Sequence, residues 1–517
     1  MWPLPVAVSR PYLPLFGVFL GLRLLGAQLV SQPGYMDAFY YYHVGRNLYL
    51  GRGFVEDIIW NWLNPPPTII HPSNDYWMPL TSILIAGAFS LLGESFRAAQ
   101  LPSLVASAAL PVFAYHLAGR LWPAPAAWPR LWAAVITGTG GSYFIYWHGT
   151  DNFALFGLTG ALALYLARNL PLSGGWGAVG AGGLSGLGYL ARPDGPLLLA
   201  VVAGWALRPR SKASLGRRLG LVGLAVLGFC LVAGPWWARN LLTFGTPLPG
   251  GGLKVAWLRD YNEVFSYGLE LGPNYYLAWG FDSIVSSKIS TAIKNLNFFL
   301  SVSLILLLPF GLLGVWRLRR DPAFLLAWAY VAVLFVVLTL IFTFPSSRGT
   351  LFHSGVVGLP FFGVAAAWGL EEAISWVARR RPRWEPERAV RNIGLIFVGG
   401  FVVASVGLGI RAAGEWDLRF RAYEAVAAWF RQQGVAEPVM IVDPPGYHYL
   451  SGSPAVVVAN NDLETTWEVC RRYGVKYLVL EPAFPEPWFP LWKDPQANPR
   501  FRLAGQVDDI KIFRVEG

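Results

Sequence analysis

The chain has 517 residues, of which 54% are hydrophobic and only 14% charged, with a mean hydropathy of +0.43. A soluble domain is about 45–50% apolar and about 25% charged, so this composition excludes a water-soluble globular enzyme, a disordered chain and a fibrous repeat, and leaves a polytopic membrane protein. The formal charge of +11 marks no nucleic-acid partner, because the arginines gather in short loops instead of on a soluble basic face, and two cysteines make neither a disulfide framework nor a cysteine zinc site.

Apolar runs of about 18–22 residues can cross hydrocarbon as helices. They are predicted near 11–30, 79–95, 98–118, 131–149, 152–168, 176–191, 195–208, 219–238, 297–316, 323–344, 350–370 and 393–412, giving an α-helical bundle of about 11–13 spans. The first run carries Arg23 and lacks a small-residue cleavage site, so it reads as a retained span and not as a signal peptide. Basic clusters at Arg208, Arg210 and Lys212 with Arg217 and Arg218, at Arg317, Arg319 and Arg320, and from Arg379 to Arg391 mark the cytoplasmic side and face anionic headgroups. Working outward places loops 31–78 and 239–296, and the chain after 412, on the external side. One conflict remains. Two crossings between 79 and 118 would return the chain to the outside, whereas Arg120 and Arg130 ask for cytoplasm. Either one run does not cross fully or a boundary is misplaced.

After about residue 413 the composition loses its apolar excess. Segments 438–443, 455–458 and 476–480 read as strands. Asp462 caps a helix that runs through Tyr473 and is closed by Gly474. This is a small C-terminal α/β extramembrane domain, 413–517, of ordinary domain size.

Loop 31–78 holds the densest chemistry. Asp37 stands just past the first span, and in a helix Tyr40 and Tyr41 share its face at i+3 and i+4. Trp60, Trp62, Tyr76 and Trp77 follow, interrupted by Asn61, Asn64, His71 and Asn74. An aromatic belt at headgroup level explains the rings but not a carboxylate among them. Rings with hydrogen-bonding neighbours also suit a sugar, which is apolar on its faces and hydroxylated at its rim.

Several stretches carry a resemblance. They are Asp37 after the first span, Tyr76-Trp77-Met78-Pro79-Leu80, Gly188-Tyr189-Leu190-Ala191-Arg192-Pro193-Asp194-Gly195, Pro235-Trp236-Trp237-Ala238-Arg239-Asn240 with Phe244-Gly245-Thr246-Pro247, and Arg348 opening a span that ends Ala365-Ala366-Ala367-Trp368-Gly369-Leu370. In order and topology, over most of residues 10–415, they resemble the membrane glycosyltransferases of the GT-C fold, in particular the protein O-mannosyltransferase and aminoarabinose-transferase group. One departure is that Asp37 is followed by Ala38, where many relatives carry Asp-Glu.

The resemblance implies a polyprenyl-phosphate-linked sugar as donor, with a protein, glycolipid or envelope polymer as acceptor at the external face of the plasma membrane. A hydroxyl attacking a sugar whose leaving group is already a phosphate needs one base and no general acid, and a single displacement inverts the anomeric centre. Asp37 is the expected base. Asp151, with His148 nearby, is expected to orient the acceptor or to hold a divalent cation, the one cofactor envisaged. Arg348, Arg239 and Arg192 are candidate phosphate clamps, since the guanidinium fork stays charged in a poor dielectric. Tyr40, Tyr41, Tyr76 and Trp77 are candidate sugar- or acceptor-binding rings, and loop 239–296 is expected to cover the site. The histidines show no metal-ligand spacing, so no structural zinc is expected. A polytopic transporter or lipid flippase is the alternative reading. It is disfavoured because polar residues gather at span ends and not in broken helices at the midplane.

Overall fold

The computed structural model describes residues 11–517 except 124–126, 171–173, 210–212, 249, 344–350 and 483. Helix α1 (Tyr12–Gly26) ends in a 3₁₀ turn to Leu29 and is followed by α2 (Met36–Tyr49), which carries Asp37 in its first turn. The rest of the first long loop contains the short strands β1 (Val55–Glu56), β2 (Ile58–Ile59) and β3 (His71–Pro72), with β1 and β3 paired antiparallel.

The next two helices, α3 (Leu80–Leu92) and α4 (Phe96–Ala118), resolve the conflict between loop charges and span count. In the first turn of α4, Arg97 donates to the carbonyls of Ala27 at 2.5 Å and Val30 at 3.0 Å, where α1 ends. Along α2, Ser82 of α3 donates to the carbonyl of Tyr41, and Arg46 meets Glu94 at 2.7 Å just past α3. Both ends of α3 therefore lie at the level of α2. With 13 residues it is about 20 Å long, too short for hydrocarbon about 30 Å thick. The run 79–95 is a helix beside α2 and not a crossing. Arg120 then falls at the opposite end of the bundle, paired with Asp321 at 2.8 Å.

The bundle continues through α5 (Trp128–Thr139), α6 (Phe153–Ala167), α7 (Gly175–Ala191), α8 (Pro196–Leu207) and α9 (Leu215–Phe244). Helices α7 and α9 touch backbone to backbone. A Cβ at Gly182 would land on the Ala225 carbonyl, and one at Gly228 on the Val179 carbonyl, the small-residue contact typical of helices packed in lipid. Because α9 runs on to Phe244 and α12 (Phe281–Ser303) starts well before 296, the expected loop 239–296 shrinks to the segment between them. That segment contains the single-turn helices α10 (Gly250–Lys254) and α11 (Pro273–Leu277). The predicted continuous span 297–316 is broken. Helices α12 and α13 (Leu308–Leu318) meet at 98°, across Leu304 and Ile305, whose φ angles are 50° and 63°. After α14 (Pro322–Ile341) come α15 (Leu351–Ser354) and α16 (Leu359–Ala378), which lies on α13 with a Cβ at Gly369 aimed at the Phe310 carbonyl. Among the described residues, six helices are long and apolar enough to cross a bilayer alone, and the bent pair makes a seventh. Helices α6 and α8 are equally apolar but shorter.

The last helix of the bundle, α17 (Pro386–Gln432), has 47 residues, about 70 Å of helix. The predicted end at 412 is absent because the residues beyond it are strong helix formers supported by an i,i+4 pair, Arg411–Glu415. The helix therefore leaves the apolar zone as a column on which the C-terminal region is built. There β4 (Val439–Ile441), β5 (Ala455–Val457), α19 (Leu463–Tyr473) and β6 (Tyr477–Leu480) stand where the sequence places them, and α18 (Pro444–Ser451) is a helix in the stretch after β4 that reads from the sequence as a turn. As predicted, Asp462 caps α19 by accepting from Thr465 N–H, and Gly474 closes it at φ 67°. A hairpin, β7 (Phe501–Val507) and β8 (Ile510–Val515), completes a six-stranded sheet of order β2-β5-β4-β6-β8-β7. Its first edge strand, β2, comes from the loop after α1 and pairs parallel with β5.

Candidate active site

Helix α2 starts where Tyr35 is extended, and Asp37 in its first turn lies near the positive end of the helix dipole. Thr150 Oγ1 donates to the Ala38 carbonyl at 2.7 Å and pins this turn to the loop before α6, which carries Asp151. His353 approaches from α15. Asp37, Asp151 and His353 each present one ligand atom, all within 4.8 Å of one another.

Two carboxyls this close cannot both ionise at ordinary cost. Burial and then the Asp151 charge push Asp37 well above the usual carboxylate range, opposed by Arg192. For Asp151, burial acts in the same direction, but the groups around it outweigh it and hold it below that range. They are the His353 imidazole, its Nε2 3.8 Å away and beyond hydrogen-bond distance, the Tyr35 hydroxyl donating at 2.7 Å, and the Asn152 N–H at 2.5 Å. The pair thus splits into a proton-accepting member, Asp37, and an anionic one, Asp151.

The other expected site residues are distributed unevenly. Tyr41 belongs to the centre, since its hydroxyl accepts from Asn152 Nδ2 at 2.8 Å. Tyr76 is half-buried against Trp60, with ring centroids 4.8 Å apart. Tyr40 and Trp77 form a packed aromatic cluster under the loop. Trp77 stacks on Trp60 at 3.8 Å and Tyr40 sits 4.4 Å from Trp77, its hydroxyl accepting the Asn74 N–H. Arg192, 9% exposed, lies within electrostatic reach of Asp37 and Asp151 while its Nε donates to Asp194 at 3.1 Å. Arg239 donates to the carbonyls of Ser73 and Phe54 and stacks on Trp236 at 4.8 Å, which ties α9 to the first loop. Arg348 lies outside the described residues. The His148 ring turns toward Gly26 and Phe144 and not toward the Asp151 carboxyl.

Three residues not singled out from the sequence complete the site. They are Tyr35, His353 and Trp416, the last on the extended part of α17, where it lies 5.2 Å from Tyr35 and 5.8 Å from Tyr146. Only Tyr35 carried a local signal, next but one to Asp37. The other two are brought in from far along the chain.

Among the described residues, two groups of side chains satisfy the distances for a metal ion. In the first, Asp37, Asp151 and His353, neither ring nitrogen of His353 has a hydrogen-bond partner among the described residues. Two carboxylates with one imidazole suit a divalent cation. In the second, His43, Asp57 and His448, the donors are already used. Arg52 forks Asp57 at 2.8 and 2.5 Å, His43 Nε2 accepts the Asp57 N–H, and His448 Nδ1 bonds the Ser453 carbonyl. This second group is a polar joint between the first loop and α18.

Asp75 is a further carboxyl of that loop, half-buried beneath Gly251 of α10. Burial and then Glu56 raise it to about 7. An unfolded aspartate titrates near about 3.9, so the folded protein holds this proton more tightly and loses stability as pH rises between those values. Asp75→Asn is expected to melt above the wild type at pH 8, with the gap narrowing toward pH 5. Thermal unfolding in nanodiscs reads this directly, and a gap independent of pH rules the assignment out.

No protein-family profile and no curated protein matches this sequence. Solved structures do match its fold. ArnT from Cupriavidus metallidurans bound to undecaprenyl phosphate is 14% identical, with a TM-score of 0.60 over 98% of each chain. The oligosaccharyltransferase AglB from Archaeoglobus fulgidus, in complex with an inhibitory peptide and a dolichol-phosphate, is 11% identical with a TM-score of 0.53 over 90% of this chain and 69% of its own. The arabinofuranosyltransferase AftD from Mycobacteria is 14% identical with a TM-score of 0.50 over 97% of this chain and 41% of its own. All three have the GT-C fold, and so does this chain.

Proposed function

We propose that this GT-C chain is an integral-membrane glycosyltransferase that moves a sugar from a polyprenyl-phosphate carrier to an acceptor hydroxyl at the external face of the plasma membrane, with inversion. Residues 1–412 act as the transferase domain and 413–517 as an external α/β domain. The observation that carries this reading is the coupled pair Asp37–Asp151, beside Arg192, at the end of the bundle opposite its basic loops. Solved proteins of this fold supply the donor class, since the ArnT structure holds undecaprenyl phosphate and the AglB structure a dolichol-phosphate.

In the reaction, Asp37 takes the proton of the acceptor hydroxyl as its oxygen bonds to the anomeric carbon. The bond from that carbon to the carrier phosphate breaks, and the phosphate leaves with the electron pair. Arg192, and Arg348 by expectation, offset the charge that develops on it. Asp151 stays ionised and, through Tyr35, fixes the geometry of the α2 turn. Asp37, Asp151 and His353 are the residues that would hold a divalent cation, which when bound would act as a Lewis acid for the phosphate. Tyr41 and Tyr76 are assigned to the sugar.

The test is transfer of radiolabelled sugar from undecaprenyl-phosphate donors, in nanodiscs, to total envelope glycolipid, polymer and protein. Uptake of label into sealed vesicles without a covalent product would replace this reading with a transporter.

A further inference from the structure

The C-terminal sheet turns toward the active site the edge at which open α/β sheets bind ligands. Strands β5, β4 and β6 lie side by side and parallel. The chain leaves β4 through α18 to β5 on one side and returns through α19 to β6 on the other, so the strand order reverses between β4 and β6. At such a reversal a crevice opens beyond the carboxyl ends of the strands. Asp443 and Glu481 stand immediately past the ends of β4 and β6, 2% and 8% exposed. Across from them stand Tyr423 and Arg419 of α17. Tyr423 donates to Glu481 at 2.5 Å, and Arg419 lies 3.8 Å from Glu481 with its side chain 45% exposed. The carboxyls are held in place, while Arg419, whose Nη2 donates to the Tyr423 hydroxyl at 3.3 Å, leaves the rest of its fork exposed.

The same strand ends are linked to the catalytic centre through α18 and α17. Helix α18, capped by Asp443, sets Tyr449 against Phe39 at 5.2 Å and Tyr42 at 5.0 Å, on the helix that carries Asp37. One turn before Arg419, Trp416 rests on Tyr35, whose hydroxyl holds Asp151. Trp416, Arg419, Phe420 and Tyr423 share one face of α17 and span about 10 Å along it. That face leads from Asp37 and Asp151 to Asp443 and Glu481.

We propose that the crevice between β4 and β6, faced by Trp416, Arg419 and Asp443, is the acceptor subsite and that it takes an uncharged saccharide. The proposal rests on Asp37 as the centre of sugar transfer. A half-buried indole matches the apolar face of a sugar ring, while a guanidinium beside carboxyls both donates to and accepts from its hydroxyls. Burial raises Asp443 and Glu481 above the ordinary carboxylate range, toward the neutral form that both donates to and accepts from hydroxyls, and Arg419 is already drawn to Glu481 and Tyr423, which suits an uncharged ligand better than an anion. An extended peptide would instead seek a free sheet edge, whereas the crevice offers strand ends, and the edge nearest the first loop is already filled by β2.

Saturation-transfer NMR on the full-length protein in nanodiscs, with methyl glycosides of hexoses, pentoses and N-acetylhexosamines and no donor, tests this. At least one glycoside is expected to bind the wild type. Binding is expected to weaken about tenfold in Arg419→Ala, the loss of one charge-assisted hydrogen bond, to weaken similarly in Trp416→Ala, and to stay unchanged in Arg502→Ala on β7. Melting curves monitor the fold. If Trp416→Ala does not fold, Arg419→Lys, which keeps the charge and loses the fork, carries the test with the same expected loss. The proposal is overturned if no glycoside binds, if Arg419→Ala or Arg419→Lys binds as the wild type does, or if N-acetylated serine and threonine peptide amides bind in place of glycosides. Because no donor is present, this outcome is independent of the transferase reading. Donor cleavage that is lost in Asp37→Asn, together with glycoside binding indifferent to Arg419, removes the subsite alone.

Discussion

Asp37→Asn is expected to slow sugar transfer by about 10²–10⁴-fold, the contribution of one positioned base, in a protein that still folds and inserts. The substitution keeps the shape of the side chain and removes its basicity. It also relieves the repulsion with Asp151, so the variant should be at least as stable as the wild type, and lost activity cannot be ascribed to unfolding. The same repulsion sets a pH signature. Asp37 must be ionised to accept a proton, and burial with the Asp151 charge raises its pKa. The wild-type rate should therefore climb with pH, with a midpoint above the ordinary carboxylate range. Asp151→Asn removes the like charge, so its residual activity should titrate at lower pH than the wild type. Initial rates from carrier-linked sugar across pH, for the three proteins, decide the matter. Transfer by Asp37→Asn at the wild-type rate, at normal expression, would remove Asp37 from the mechanism.

The second large effect is structural. Gly182→Leu is expected to abolish the assembled protein. At this point α7 and α9 meet through backbone, and the Ala225 carbonyl occupies the place of the new side chain. A neighbouring side chain could rotate away, but a helix carbonyl cannot. Overpacking costs about 1–3 kcal/mol where a core can yield, and here the helices must separate. Their ends carry Arg192 and Arg239, so the damage would reach the loop around the site. Gly204→Leu on α8, with nothing within 4 Å of the new Cβ, serves as the control and should remain monodisperse. Fluorescence-detected size exclusion separates the two, and a monodisperse Gly182→Leu peak would mean that the α7–α9 contact is looser than described.

What could be read from the sequence followed the range of the signal. Asp37 at the start of a helix and the helix between Asp462 and Gly474 are encoded within a few residues, and each stands where expected. Hydropathy does not distinguish a crossing helix from one lying beside another, so the run of α3 reads as a span, and only the hold of Arg97 on the end of α1 shows its level. The break at Leu304 and Ile305 falls in an apolar run, and its one local signal is Pro309, which stands in the first turn of α13 as a proline does at a helix start. The extension of α17 past 412 was legible in its helix formers but was masked by the change in composition. In the site, local adjacency misled once, because the 3₁₀ turn ending at His148 points that ring away from Asp151. His353 and Trp416 are neighbours of Asp151 and Tyr35 only in space.

The pairing of β2 with β5 joins residues about four hundred positions apart, Ile58 with Ala455 and Ile59 with Val456. During synthesis the early segment must wait, unpaired, until the chain has been made as far as β5. The loop that carries Asp37 thus acquires its final anchor last. A chain interrupted before Ala455 leaves β2 without its parallel partner. Maturation, in this reading, is timed by the order in which the chain is made.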